Sequence, residues 1–98
     1  MKRIFLDLTD CRTQAGINET LAAALGAPEW HGRNLDAWYD SIVSDDMNAV
    51  RSPYVLVITG HGSLSPSLAK YVQKLASLFD DARKEGKIDV YCILEHVN

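Results

Sequence analysis

Residues Tyr54–Thr59 read Tyr-Val-Leu-Val-Ile-Thr, a continuous apolar run rich in β-branched side chains. Such a run is typical of a strand that is covered on both faces, and strands of that kind occur in parallel sheets. The turn residues Gly60-His61-Gly62 end the run. The sequence therefore predicts a strand of a parallel sheet with both faces covered.

A helix and a strand are predicted after this run. Ser65 followed by Pro66 indicates a helix start, a capping residue and then proline at the first helical position. An apolar stripe with helical spacing follows: Leu68, Tyr71, Val72, Leu75, Leu78, Phe79 and Ala82. Gly86 ends the helix, and residues 88–94 are rich in strand-forming side chains.

Before the run, the pattern predicts a strand over 2–8, a helix over Gln14–Leu25 that stops at Gly26, and a helix over 34–44 capped by Asn34. Residues 44–53 are predicted to form a polar loop. The order strand, helix, helix, strand, helix, strand favours an α/β fold with right-handed crossovers. The length of 98 residues indicates a single domain over 1–98.

Composition excludes several classes of function. The chain is 47% hydrophobic, enough for one core, and its 10 basic and 13 acidic residues give a net charge of −3. A nucleic-acid or anionic-membrane surface requires a basic footprint, so neither is expected as a partner. Cofactors and metals are not expected either, because no ligand spacing occurs.

The expected location is the cytoplasm. No apolar stretch approaches the ~18 residues that cross a bilayer, and the N-terminus lacks the apolar core of a signal peptide. Cys11 and Cys92 are then expected as reduced thiols, which we favour over a disulfide.

The most informative segment is residues 29–40, which combines three aromatic residues with paired carboxylates. On a helix, Leu35, Trp38 and Ile42 share one side that should face the core. Asp36 and Asp40 lie one turn apart on another side, where their repulsion costs a helix a few tenths of a kcal/mol.

Three interpretations of this acidic side are open. It is a solvated surface, a protein-binding patch with aromatic anchors, or part of an enzyme site. An enzyme is disfavoured, because two carboxylates one turn apart on an exposed helix are not held across a cleft as acid and base. No metal spacing or nucleophile–base motif accompanies them, so the chain is predicted not to be an enzyme.

The same segment, from Pro28 to Asp40, resembles the inhibitory segment of the barstar family, intracellular inhibitors of the secreted bacterial ribonuclease barnase. The shared pattern is an aromatic residue, then Gly-x-Asn-Leu-Asp-Ala, then an aromatic residue and Asp. The element order and the last helix, ending in 79–86, are also similar. The resemblance implies a three-stranded parallel sheet packed with helices, and an inhibitor with an immunity or antitoxin role.

The resemblance also implies roles for individual residues. Asp40 is expected to be the leading phosphate mimic, supported by Asp36, against a cationic ribonuclease active site. Trp30 matches the aromatic that stacks there. Further contact positions are matched by Asn34, Tyr39 and Asp81.

Some positions depart from the family pattern. Tyr39 replaces a tryptophan, Trp38 replaces a leucine, and Asp81 is one methylene shorter than the family's glutamate. The expected partner is therefore a basic bacterial ribonuclease, barnase-like or a related toxin, bound by a chain that is monomeric when free. A binding module of the same fold with a non-nuclease partner is the alternative.

Overall fold

The computed structural model describes residues 1–29 and 32–95. The elements, in chain order, are β1 (Lys2–Asp7), α1 (Gln14–Leu25), α2 (Leu35–Ser44), β2 (Tyr54–Thr59), α3 (Pro66–Gly86) and β3 (Val90–Leu94). A short 3₁₀ turn, His61–Ser63, lies between β2 and α3. This is the predicted order, but β1 ends one residue earlier than predicted and β3 begins two residues later.

The three strands form one parallel sheet in the order β1-β2-β3. Ile4 pairs with Leu56, and Leu56 pairs with Cys92, so β2 is the central strand. The α/β fold with a three-stranded parallel sheet and helices is therefore confirmed.

The helices cover only one face of this sheet. Leu6, Leu56 and Val90 are buried in the helix-packed core. On the other face, Phe5 is 64% exposed and Ile93 is 42% exposed. The prediction that both faces of β2 are covered holds for Val57, which is fully buried, but not for Val55 and Thr59, which are half-buried on the face without helices. In the order β1-β2-β3, two right-handed crossovers between neighbouring parallel strands place their helices on the same side.

Two of the helices place fully buried aromatic residues in the core. Trp38 of α2 and Phe79 of α3 have no exposed surface. Phe79 meets Tyr54 of β2 edge to face, with ring centroids 6.4 Å apart and planes at 81°. Burial raises the pKa of Tyr54, so this tyrosine remains neutral in the core.

The segment between α2 and β2, predicted as a polar loop, is held in place by several hydrogen bonds. The carboxylate of Asp45 accepts hydrogen bonds from the backbone N–H of Ser52 at 2.9 Å and from its hydroxyl at 2.5 Å. Asn48 is only 4% exposed and donates to Ser41 Oγ at 3.3 Å. The Val50 N–H donates to the Leu25 carbonyl at 3.0 Å, which ties the segment to the end of α1.

Two further features bear on the sequence predictions. Among the described residues, no helix is both long and apolar enough to traverse a bilayer.

Cys11 and Cys92 are free thiols, as predicted. Burial raises the pKa of Cys92 to about 12, so its thiol stays protonated and unreactive.

Candidate functional site

Helix α2 begins at Asn34, whose side chain caps it. Asn34 Oδ1 accepts a hydrogen bond from the Ala37 N–H at 2.8 Å, and its amide donates to the Gly32 carbonyl at 3.2 Å. Removing a cap of this kind costs a helix about 1 kcal/mol. Asn34 therefore fixes where α2 starts and, through that start, where Asp36 and Asp40 point.

The loop before α2 is anchored at Arg33, which adopts a left-handed backbone with φ of 54°. Its guanidinium donates to the Pro28 carbonyl at 3.1 Å and to the Glu19 carboxylate at 3.2 Å. Arg33 thus holds both ends of the loop against α1. Trp30, the predicted stacking residue, lies outside the described residues.

Asn18 of α1 is buried and forms hydrogen bonds with α2, α3 and the residue before Asn34. Its Oδ1 accepts hydrogen bonds from Trp38 Nε1 at 3.1 Å and from the Tyr71 hydroxyl at 2.9 Å. Its amide donates to the Arg33 carbonyl at 2.9 Å. One side chain therefore connects α1, α2, α3 and the loop before α2.

Sequence reasoning missed Asn18, although a signal was present. Asn18, Leu21, Ala22 and Leu25 follow helical spacing, so an amide sits among apolar residues on the buried side of α1. A buried amide requires hydrogen-bond partners, which marks such a position as a structural centre.

The apolar side of α2 faces the core largely as predicted. Trp38 and Ile42 are 0% and 2% exposed, while Leu35 is half-buried at the rim. Asp36 and Asp40 are both exposed, and Tyr39 is half-buried between the two sides.

Helices α2 and α3 form the walls of an open groove of about 490 Å³. Asp36 and Tyr39 line it from α2, and Asp81 lines it from α3. Lys70 and Lys74 line the same groove nearer the start of α3. Three of the predicted site residues therefore share one surface, which also carries two positive charges.

Three acidic side chains lie close enough to Tyr39 to affect its hydroxyl. Burial raises the pKa of the Tyr39 hydroxyl, and the carboxylates of Glu85, Asp81 and Asp40 raise it further. Asp40 and Asp81, predicted from different helices, thus act on the same hydroxyl. Glu85 is an acidic neighbour that sequence reasoning missed, although it lies one helical turn after Asp81.

This acidic cluster can be tested without a partner. Replacing Asp81 by asparagine or Glu85 by glutamine should lower the pKa of Tyr39 toward the ordinary tyrosine value of 10.0, because less negative charge opposes the phenolate. The tyrosine Cζ chemical shift, followed by NMR against pH and assigned with Tyr39→Phe, measures the change. Asp36→Asn is the matched control and should shift Tyr39 less; equal shifts in all three variants would contradict the clustering.

The described residues do not form a metal centre. No group of three or more His, Cys, Asp or Glu side chains among residues 1–29 and 32–95 is arranged to hold a metal ion. His31, considered as a base or ligand beside the two carboxylates, lies outside the described residues. The groove presents charged side chains and one aromatic hydroxyl.

Comparisons with known proteins agree with this geometry. A family model described as Barstar (barnase inhibitor) matches residues 1–95. A Bacillus subtilis (strain 168) protein named "Putative ribonuclease inhibitor YrdF" is 26% identical over 95 residues, which cover 97% of this chain and 100% of that relative. Members of this family are inhibitors, which supports the prediction that the chain is not an enzyme. Because the family model spans nearly the whole chain, the protein belongs to the barstar family.

Proposed function

We propose that the protein inhibits a basic bacterial ribonuclease, barnase-like or a related toxin, by placing α2 and the preceding loop in its active site. The observation that carries this proposal is that Asp36, Tyr39 and Asp81 line one surface between α2 and α3, with Asp40 exposed on the same helix as Asp36. A ribonuclease active site is cationic because it binds phosphates, so an acidic surface of this shape is complementary to it.

In this proposal carboxylates replace substrate phosphates. Asp40 is the leading phosphate mimic, since it is exposed and flanked by acidic neighbours, and Asp36 supports it from one turn earlier. Trp30 stacks at the catalytic centre, while Asn34, Tyr39 and Asp81 extend the contact surface. Charge-assisted hydrogen bonds between carboxylates and arginine or lysine are about twice as strong as neutral ones.

The contacts of Asn18 and Arg33 support the proposal through preorganisation. They hold Arg33, and with it the beginning of α2, in place in the free protein. A surface held in place before binding loses less conformational entropy on association, which favours affinity.

The proposed setting is the cytoplasm, where the chain protects its host from the nuclease. Two free thiols suit a reducing compartment. At the micromolar concentrations of an inhibition assay the free chain acts as a monomer, and the complex contains one inhibitor and one enzyme.

The experiment is an inhibition titration against a panel of small basic ribonucleases with purified protein. Inhibition of at least one should saturate at an equimolar ratio, and Asp36→Asn/Asp40→Asn should lose it. Asp46→Asn, which removes a single charge at an exposed acidic position just after α2, is the control. RNA cleavage by the protein itself that disappears with Asp40→Ala would overturn the proposal, as would full inhibition by the double variant.

Association with the ribonuclease should slow as salt rises. Opposite charges on the two surfaces steer their encounter, and screening shortens the reach of that attraction to about 3 Å at 1 M salt. Stopped-flow fluorescence over a range of salt concentrations measures the association rate constant. A rate constant that does not change with salt would mean that the acidic surface does not guide recognition.

A further inference from the structure

In the part of the chain that the structure describes, the face of the sheet opposite the helices is uncovered, and the strand register divides it into three rows. We call it the open sheet face. Its rows, read from β1 across β2 to β3, are Arg3, Val55 and Tyr91; Phe5, Val57 and Ile93; Asp7, Thr59 and Glu95.

The middle row is apolar. Phe5 is 64% exposed and Ile93 is 42% exposed, while Val57 lies fully buried between them. Tyr91 of the first row is 38% exposed. These exposed apolar side chains adjoin one another on one face rather than being scattered singly over the surface.

The two outer rows carry opposite charges. Arg3 lies at one end of β1, and the guanidinium of Arg83 stacks 4.6 Å from the Tyr91 ring centre at the same end of the sheet. Asp7 and Glu95 lie at the other end. Hydrogen bonds from the Thr9 hydroxyl at 2.6 Å and N–H at 3.0 Å lower the pKa of Asp7, which keeps it ionised.

The apolar middle row between a positive and a negative row makes the open sheet face complementary to itself. A twofold axis lying along the middle row, perpendicular to the strands, brings the apolar row of one copy onto that of a second copy. The same rotation reverses the strands, so Arg3 of each copy faces Asp7 of the other. A self-complementary patch of this kind is what a symmetric dimer requires.

We propose that the protein self-associates through the open sheet face, with a second copy packed on it antiparallel, sheet against sheet. Two sheets packed this way lie about 10 Å apart, and their apolar side chains fill the space between them. The groove between α2 and α3 belongs to the helical layer, so it remains accessible in this dimer.

The small area of the open sheet face predicts a weak dimer. Three strands span about 14 Å across, and five residues span about 17 Å along them, or roughly 240 Å² for each flat face. A stable complex buries about 800 Å² per partner. The dimer therefore forms at high protein concentration and dissociates at the concentrations used for inhibition.

Sedimentation velocity from about 10 μM to 1 mM tests the dimer, with two complementary variants. Arg3→Glu and Asp7→Lys each place like charges opposite one another, so each alone should weaken self-association about tenfold. An equal mixture of the two pairs opposite charges at both contacts and should restore the dimer. Lys74→Glu, a matched charge reversal on the helical layer, should change the sedimentation coefficient little.

A further variant covers the case in which Asp7→Lys unfolds because the contacts with Thr9 are lost. Phe5→Ser removes an exposed apolar side chain from the middle row, so it should leave the melting temperature nearly unchanged and abolish the concentration dependence. A wild-type protein that stays monomeric up to 1 mM would overturn the proposal. Self-association that survives Phe5→Ser would also overturn it. So would a loss of self-association with Lys74→Glu that is as large as the loss with Arg3→Glu.

Discussion

Replacing Asp40 by alanine should weaken binding of the cognate ribonuclease by at least about 2 kcal/mol, or roughly 30-fold in Kd. That magnitude is the general threshold for a hot spot, for which the barstar–barnase pair is itself a standard example. In the proposed complex Asp40 is desolvated among cations, and its removal leaves those charges buried without a partner. The loss should therefore exceed the ~0.2–1 kcal/mol of an exposed ion pair.

A binding titration with urea melts alongside measures both effects of Asp40→Ala. The free energy of unfolding should stay constant or rise slightly, because the repulsion with Asp36 one turn away is relieved. Asp46→Ala is the control, since Asp45 bonds Ser52 and would confuse binding with stability. Wild-type affinity in Asp40→Ala would refute the assignment of the site, and unfolding would make Asp40 a structural residue.

Replacing Asn18 by leucine should lower the free energy of unfolding by about 3 kcal/mol or more. The substitution keeps the approximate volume but removes the acceptor of Trp38 Nε1 and the Tyr71 hydroxyl. It also removes the donor to the Arg33 carbonyl. Each buried polar group that loses its partner costs about 1–3 kcal/mol.

Urea denaturation of a double-mutant cycle separates these contributions. Tyr71→Phe alone removes one hydroxyl and should cost about 1 kcal/mol. In the Asn18→Leu background the same change removes a donor that has already lost its acceptor, so it should cost less or become stabilising. If the two substitutions were strictly additive, Asn18 would not be the shared partner that the structure shows.

The helix α2 was predictable because its signals are local. Asn34 caps it, and Trp38 and Ile42 give it a buried side at helical spacing. These features depend on neighbours within two turns of the chain. The exposure of Asp36 and Asp40 followed from the same periodicity, whereas their function as phosphate mimics remains a prediction.

The features that sequence reasoning did not predict depend on distant parts of the chain. The apolar run of β2 indicated a parallel strand correctly, but which faces are covered depends on strand order, which no local pattern encodes. The role of Asn18 depends on Tyr71, which lies on another helix. The hydrogen bonds from Ser52 to Asp45 were not predictable, because they span a turn whose shape the composition does not specify.

The central position of β2 also affects how the chain folds. Lys2 pairs with Tyr54, and Tyr54 pairs with Val90, so the sheet joins the beginning, the middle and the end of the chain. Such pairings give a high contact order, and the entropy of closing each long loop opposes the transition state. Refolding should therefore be slower than that of a helical bundle of similar length, which stopped-flow measurements can test. β2 must be present before either edge strand has a partner, so a chain truncated before residue 54 has no native sheet to form.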